Sequence, residues 1–238
     1  AIGEIPSLIS NASNLSEKTL RITEDLDLLK NRGFELFTSG QGNELVAIIS
    51  RLKENLQKIT DLNAELLTQS ETLKNNTDQI ASFINIFNKK YIPINTELYR
   101  AKDFLNSLLS LLKQNDEQHI LLIFQNPSEI RPAGGFIGSF GEIIISQGGL
   151  KEIKIDDIYN ADRQFSQKIA PPKELSGITQ TWGARDANWF FDFPTSARKV
   201  IEFLQESELY KSKNIAFQGA IAINTNILQS LLSITGPV

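Results

Sequence analysis

Three arginines, Arg131, Arg163 and Arg185, stand among glycines and prolines in the second half of this 238-residue chain. Arginine offers a phosphate or pyrophosphate a planar, permanently charged fork that lysine cannot match. Gly/Pro-rich loops between strands are also where ligand groups usually sit. Beside the first arginine, Gly134-Gly135 lets the backbone approach closely and could present N–H groups as an anion nest, or simply make a tight turn. Asp156, Asp157, Asp162 and Asp186 could supply hard oxygen ligands to magnesium, with Asp162 and Asp186 the metal candidates. Trp182 and Trp189 belong to a stretch with five aromatics in twelve residues, Trp182 to Phe193. These rings could form a sugar-stacking or lipid-contacting wall, or the private core of a long loop. Each group has an ordinary use as well. Loop arginines bond carbonyls and carboxylates, and aspartates cap helices and pair with cations.

Composition narrows the chemistry. There is no Cys, so disulfides, zinc–thiolate sites and thiol nucleophiles are excluded, and the one His, His119, makes a His-rich metal site impossible. His119 opens an apolar run and has no visible partner in the sequence. No GxSxG, P-loop, HExxH or dinucleotide fingerprint occurs. A net charge of −4 argues against a nucleic-acid groove. Whether the chain is an enzyme is left open at this level.

The elements that must position these residues divide near Glu117. Residues 1–118 hold only 4 of the 14 Gly, while residues 119–238 hold 13 of the 20 aromatics and both Trp. The first part shows heptads: Leu8, Leu15, Ile22, Leu29 and Leu36 in one column, then Leu45, Leu52, Ile59, Leu66, Leu73, Ile80 and Phe87 in another. Such spacing predicts helices over about 8–36 and 43–90, with Pro93 as a stop, and a third over about 94–114. At 1.5 Å per residue the second would reach roughly 65–70 Å. The expectation is a long antiparallel, coiled-coil-like helical stalk over 1–117. Asn63, Ser70 and Thr77 share the alternate column, which either faces a partner or turns toward solvent, the latter being the plainer reading. Residues 118–238 read as an α/β domain with strands near 119–124, 138–146, 150–155 and 219–223. Helices are expected over 194–206 and 224–234. Four strands are few for a sheet, so the domain is expected to continue beyond residue 238 in a longer parent.

An ordered series of motifs carries a family resemblance. It comprises Asn126 to Gly141 (NPSEIRPAGGFIGSFG), Asp162-Arg163, Trp182 to Trp189 (WGARDANW), Asp192 to Ala197 (DFPTSA) and Leu231 to Val238 (LLSITGPV). Together these resemble the bacterial domain of unknown function 4012. That resemblance implies an amino-terminal membrane helix upstream, a helical stretch, and this domain facing outward from a bacterial cell membrane or surface. More distantly, residues 120–163 and the closing segment are similar to LytR-CpsA-Psr domains, which move glycopolymers from a polyprenyl-pyrophosphate lipid to the cell wall with magnesium. Arg131 falls where that family's first arginine sits; Ala133 replaces the aspartate two residues on, and the Arg-Asp pair is reversed as Asp162-Arg163. The two resemblances together imply an extracytoplasmic, membrane-anchored envelope protein. Its α/β domain would bind an anionic ligand (a phosphorylated glycan or a lipid-linked precursor) or another surface protein through Arg131, Gly134, Gly135, Arg163 and Arg185. The alternative implied is a magnesium-dependent phosphotransferase.

Overall fold

The structure, a computed structural model, describes residues 5–74, 78–114, 116–165 and 167–224, with five further positions between 226 and 233. It has two compact units: Ala1–Asn115 with Ser146–Gly149, and Asp116–Ile145 with Leu150–Val238. The chain is mixed α+β, with three long helices followed by a small mixed sheet and its own short helices.

In the helical unit, α1 spans Ile5–Thr38, α2 spans Gly42–Lys74 and α3 spans Asp78–Leu112. Contacts fix their directions. Arg51 meets Asp25, and Arg32 Nη1 lies 3.1 Å from Glu44 Oε1, so α1 and α2 are antiparallel. Lys102 Nζ donates to Gln57 Oε1 at 2.8 Å. A single helix would hold those two residues roughly 68 Å apart at 1.5 Å per residue, so the chain reverses between them. The expected 43–90 helix is therefore two helices, and its apolar column is divided between α2 and α3. Pro93 does not stop a helix either: it lies inside α3. Losing one backbone hydrogen bond is tolerated within a helix of 35 residues whose later turns bury Leu105, Leu109 and Leu112. Asn63 is 3% exposed, so its column faces inward there rather than toward solvent. Ser70, Thr77, Leu8, Leu73, Ile80 and Phe87 lie outside the described side chains.

Ile22, Leu29, Leu45, Ile49, Leu52, Leu56, Leu105 and Leu112 line a groove of about 500 Å³ with no charged or hydrogen-bonding side chain in its wall. No helix among the described residues is long and apolar enough to cross a membrane. The helical core also holds a charge. The Asp25 carboxylate is buried and takes both the Nε–H and the Nη2–H of Arg51. That bond raises the Arg51 pKa. Arg51→Ala should strand the carboxylate and cost about 2 kcal/mol, below the full buried-pair value because the guanidinium is itself half in water. Urea unfolding followed by helix ellipticity at 222 nm checks this; an unchanged midpoint would mean water reaches Asp25.

The sheet unit orders its strands β3-β2-β1-β4, with β1 Gln118–Asn126, β2 Phe136–Ser146, β3 Gly149–Asp157 and β4 Phe217–Asn224. β1 pairs antiparallel with β2 and parallel with β4. Gln147 and Gly148, at φ 51° and 77°, form the two-residue turn between β2 and β3. Two positive φ values in succession give the twist that lets strands close on each other. Register places Leu121 beside Glu142 and Ala220, and Ile123 beside Phe140 and Ala222, so these share one face. Onto that face pack α4 (Ile158–Arg163) and α5 (Phe193–Glu206), through Ile158, Ala161, Val200, Phe203 and Leu204. The spacing of Ala197, Val200 and Leu204 supplies α5 with its apolar stripe. Its start is set by Asp192, whose carboxylate accepts the Thr195 N–H at 2.9 Å, followed by Pro194 in the first turn. The Thr195 hydroxyl, which donates to the same carboxylate at 2.6 Å, and then the Thr195 N–H lower the Asp192 pKa. A last short helix, α6, spans Glu208–Lys211. Of the helix expected over 224–234, residues 226, 227, 229, 230 and 233 are helical, Asn224 ends β4, and the remaining five positions lie outside the described residues.

Candidate functional site

Three connections of the sheet unit converge: the β1–β2 loop, α4 with its N-terminal turn, and the irregular segment before α5. The β1–β2 loop opens as an Asx turn, with Asn126 Oδ1 accepting the Ser128 N–H at 3.1 Å, and closes where the Phe136 N–H donates to Glu129 O at 3.0 Å. Gly134 and Gly135 have φ of 116° and 140°. At Gly135 a Cβ would collide with the Asn126 carbonyl, so only glycine fits. The Gly134 N–H donates to Arg131 O at 3.1 Å and Gly135 O accepts from Asn188, so this pair builds a turn.

Arg131 is aimed by a carboxylate 55 residues away. Its Nε–H and Nη2–H both donate to Asp186 Oδ1, at 3.2 and 3.1 Å, and Nη1–H donates to its neighbour Ile130 O. Arg185 donates Nη1–H to Asp162 Oδ2 at 2.8 Å and Nη2–H to Thr179 Oγ1 at 3.1 Å. Its Nε lies 3.3 Å from Asp186 Oδ2, so Asp186 bridges the two guanidiniums. The plane of each is also backed by a ring: Arg131 lies 5.3 Å from the Phe136 centroid and Arg185 lies 5.6 Å from that of Tyr159. Asp162 further accepts the Ala184 N–H at 2.7 Å. Gly183 is part of that arrangement, because a Cβ there would sit 2.6 Å from Asp162 Oδ1. Burial pushes the Asp162 carboxyl above the usual aspartate value, with the Ala184 and Arg185 contacts pulling the other way.

The mouth of this lattice is a pocket of about 500 Å³ lined by Glu129, Arg131, Phe136, Tyr159, Ile178, Thr179, Arg185 and Asp186. That size suits a small ligand. Two of the three arginines singled out in the sequence thus meet, and the third does not: Arg163 donates to Asn160 Oδ1 and is absent from the lining. Trp182 donates its Nε1–H to Asp186 O at 3.1 Å and packs edge-on against Phe203, as part of the core's margin. Neither Trp182 nor Trp189 lines the pocket. Phe136 and Tyr159 are its aromatic walls, and nothing in their sequence spacing marks them. Both carboxyl oxygens of Asp162 and of Asp186 face guanidinium or amide donors. Among the described residues no group of three or more His, Asp or Glu is placed to hold a metal ion. The pocket therefore offers fixed cationic donors and aromatic faces, with no nucleophile–base pair among its lining residues.

His119 does have a partner. Its Nδ1 lies 2.6 Å from Oε1 of the buried Glu142, whose Oε2 accepts the Tyr210 hydroxyl at 3.4 Å. Burial and the Glu142 charge raise the Tyr210 pKa.

Neither a curated protein nor a solved structure matches the chain. A family model described as a protein of unknown function (DUF4012) matches residues 115–238, which is just over half of the chain and contains every residue of the pocket. The chain belongs to the DUF4012 family.

Proposed function

We propose that the sheet unit is a binding module whose Arg131–Arg185 pocket holds the anionic group of a cell-envelope ligand. The observation that carries this is the paired guanidiniums. A guanidinium has five N–H donors, and the contacts described leave at least two of them uncommitted on each arginine. Both are held in place before any ligand arrives, which removes much of the ordering cost of binding. The setting, outside a bacterial membrane and joined by the helical unit acting as a stalk to an anchor, rests on the family resemblance and the heptads. The resemblance to LytR-CpsA-Psr domains supports a glycan-bearing ligand. Phosphotransfer with magnesium has less in its favour, because the oxygens of Asp162 and Asp186 are taken up by the Ala184 N–H and by the arginines that would have to grip the phosphate.

The test is a titration of the isotope-labelled chain with dimethyl phosphate, with and without magnesium. Saturable amide shifts centred on residues 129–136, Tyr159 and residues 178–186 are expected in both conditions. Arg185→Lys, which keeps the charge but loses the fork, should weaken binding about tenfold, and Arg163→Ala should not. Absence of saturable shifts, or binding that needs magnesium, would overturn the reading.

A further inference from the structure

One charge at the pocket has no counterpart. Arg131 pairs with Asp186, and Arg185 pairs with Asp162 and Asp186, so two cations meet two carboxylates and their charges cancel. Glu129 brings a third carboxylate to the same lining. Among the described residues no cation pairs with it. Its one side-chain contact is the Asn126 Nδ2–H, at the long distance of 3.5 Å. Nor is Glu129 carried on a loose segment. Its N–H donates to Asn126 O at 3.2 Å and its carbonyl accepts the Phe136 N–H at 3.0 Å, so the turn holds its backbone from both sides. A plain anion seated on the spare N–H groups of the arginines therefore faces an unmatched negative charge. Water softens that repulsion, because Glu129 is exposed, but does not change its sign. A ligand with an ammonium beside its anionic group turns the repulsion into attraction. The ammonium also brings three donors for the Glu129 oxygens.

Resting on the anion pocket of the proposed binding module, we infer that Glu129 forms a second, cation-accepting subsite and that the ligand is a zwitterion, with its anionic group on Arg131 and Arg185 and a primary ammonium on Glu129. Amino acids and peptides carry that pairing of groups, and so do aminoalkyl phosphodiesters. Glu129 is then the specificity-determining residue, selecting amine-bearing anions over plain ones.

Calorimetric titration of the intact chain with two matched pairs tests this: β-alanine against butanoate, and methyl 2-aminoethyl phosphate against methyl propyl phosphate. Within each pair only the ammonium is exchanged for a methyl group. The zwitterion of at least one pair should bind about threefold to tenfold more tightly than its partner, and the pair that responds identifies the source of the anion. Glu129→Gln should act with opposite signs on the two kinds of ligand. It should weaken the zwitterion severalfold and tighten dimethyl phosphate, because the repelling charge is gone. Arg185→Lys should weaken both. Dimethyl phosphate binding with equal affinity within each pair, or a preference for the zwitterion that survives in Glu129→Gln, would overturn the ammonium subsite and leave the anion pocket standing. No binding of dimethyl phosphate or of either zwitterion would overturn both, as would zwitterion binding that Arg185→Lys leaves unweakened.

Discussion

His119→Ala is expected to destabilise the sheet unit by about 3 kcal/mol, because it strips a buried carboxyl group of its shorter hydrogen bond. Glu142 is 3% exposed, and the His119 imidazole is its hydrogen-bond partner, with Nδ1 2.6 Å from Oε1. Removing the imidazole leaves a buried carboxylate with the longer Tyr210 hydrogen bond alone. Both tryptophans belong to the sheet unit, so their fluorescence in urea reports that unit without interference from the helices. Adding Glu142→Leu to the variant should recover most of the loss, because removing both members of a buried pair costs far less than removing one. A single variant as stable as the wild type would show that the pair is not a structural contact.

Asp162→Ala comes next, at about 3 kcal/mol, through loss of the acceptor for the Ala184 N–H and of one of the two carboxylates that fix Arg185. Asp162→Asn keeps the amide acceptor and should cost less. Its pH behaviour is the sharper check. The folded-state pKa of Asp162 lies above the unfolded value because burial disfavours its charge. As pH falls through the raised value toward the unfolded one, the folded state binds the proton first, so this group adds stability on acidification. The asparagine variant lacks that gain. The midpoint difference, wild type minus Asp162→Asn, should therefore widen in favour of the wild type between neutral pH and about pH 4. A difference that narrows over that range would show the Arg185 pairing outweighing burial.

Local pattern made much of this architecture readable. The heptads of α1 and α2 and the short apolar runs that became β1 and β4 are signals confined to a few residues. The reversal between α2 and α3 was not readable, because both helices keep the same apolar period and nothing in a heptad column records a change of direction. Pro93 misled because a helix of 35 residues absorbs the one hydrogen bond a proline removes. At the site, residue types in Gly/Pro-rich loops drew attention to Arg131 and Arg185, and Asp162 and Asp186 stood out as oxygen donors. Their pairing joins positions 23 and 55 residues apart and is set by tertiary contact alone. The link between His119 and Glu142 was invisible for the same reason, since it depends on the register of β1 against β2.

A crystal structure of the chain grown with dimethyl phosphate tests the central claim most directly. The account predicts a phosphate with oxygens about 3 Å from N–H groups of both Arg131 and Arg185, with the Asp162 and Asp186 contacts intact. A phosphate seated at Arg163 instead, or a pocket that stays free of phosphate at saturating concentration, would contradict it.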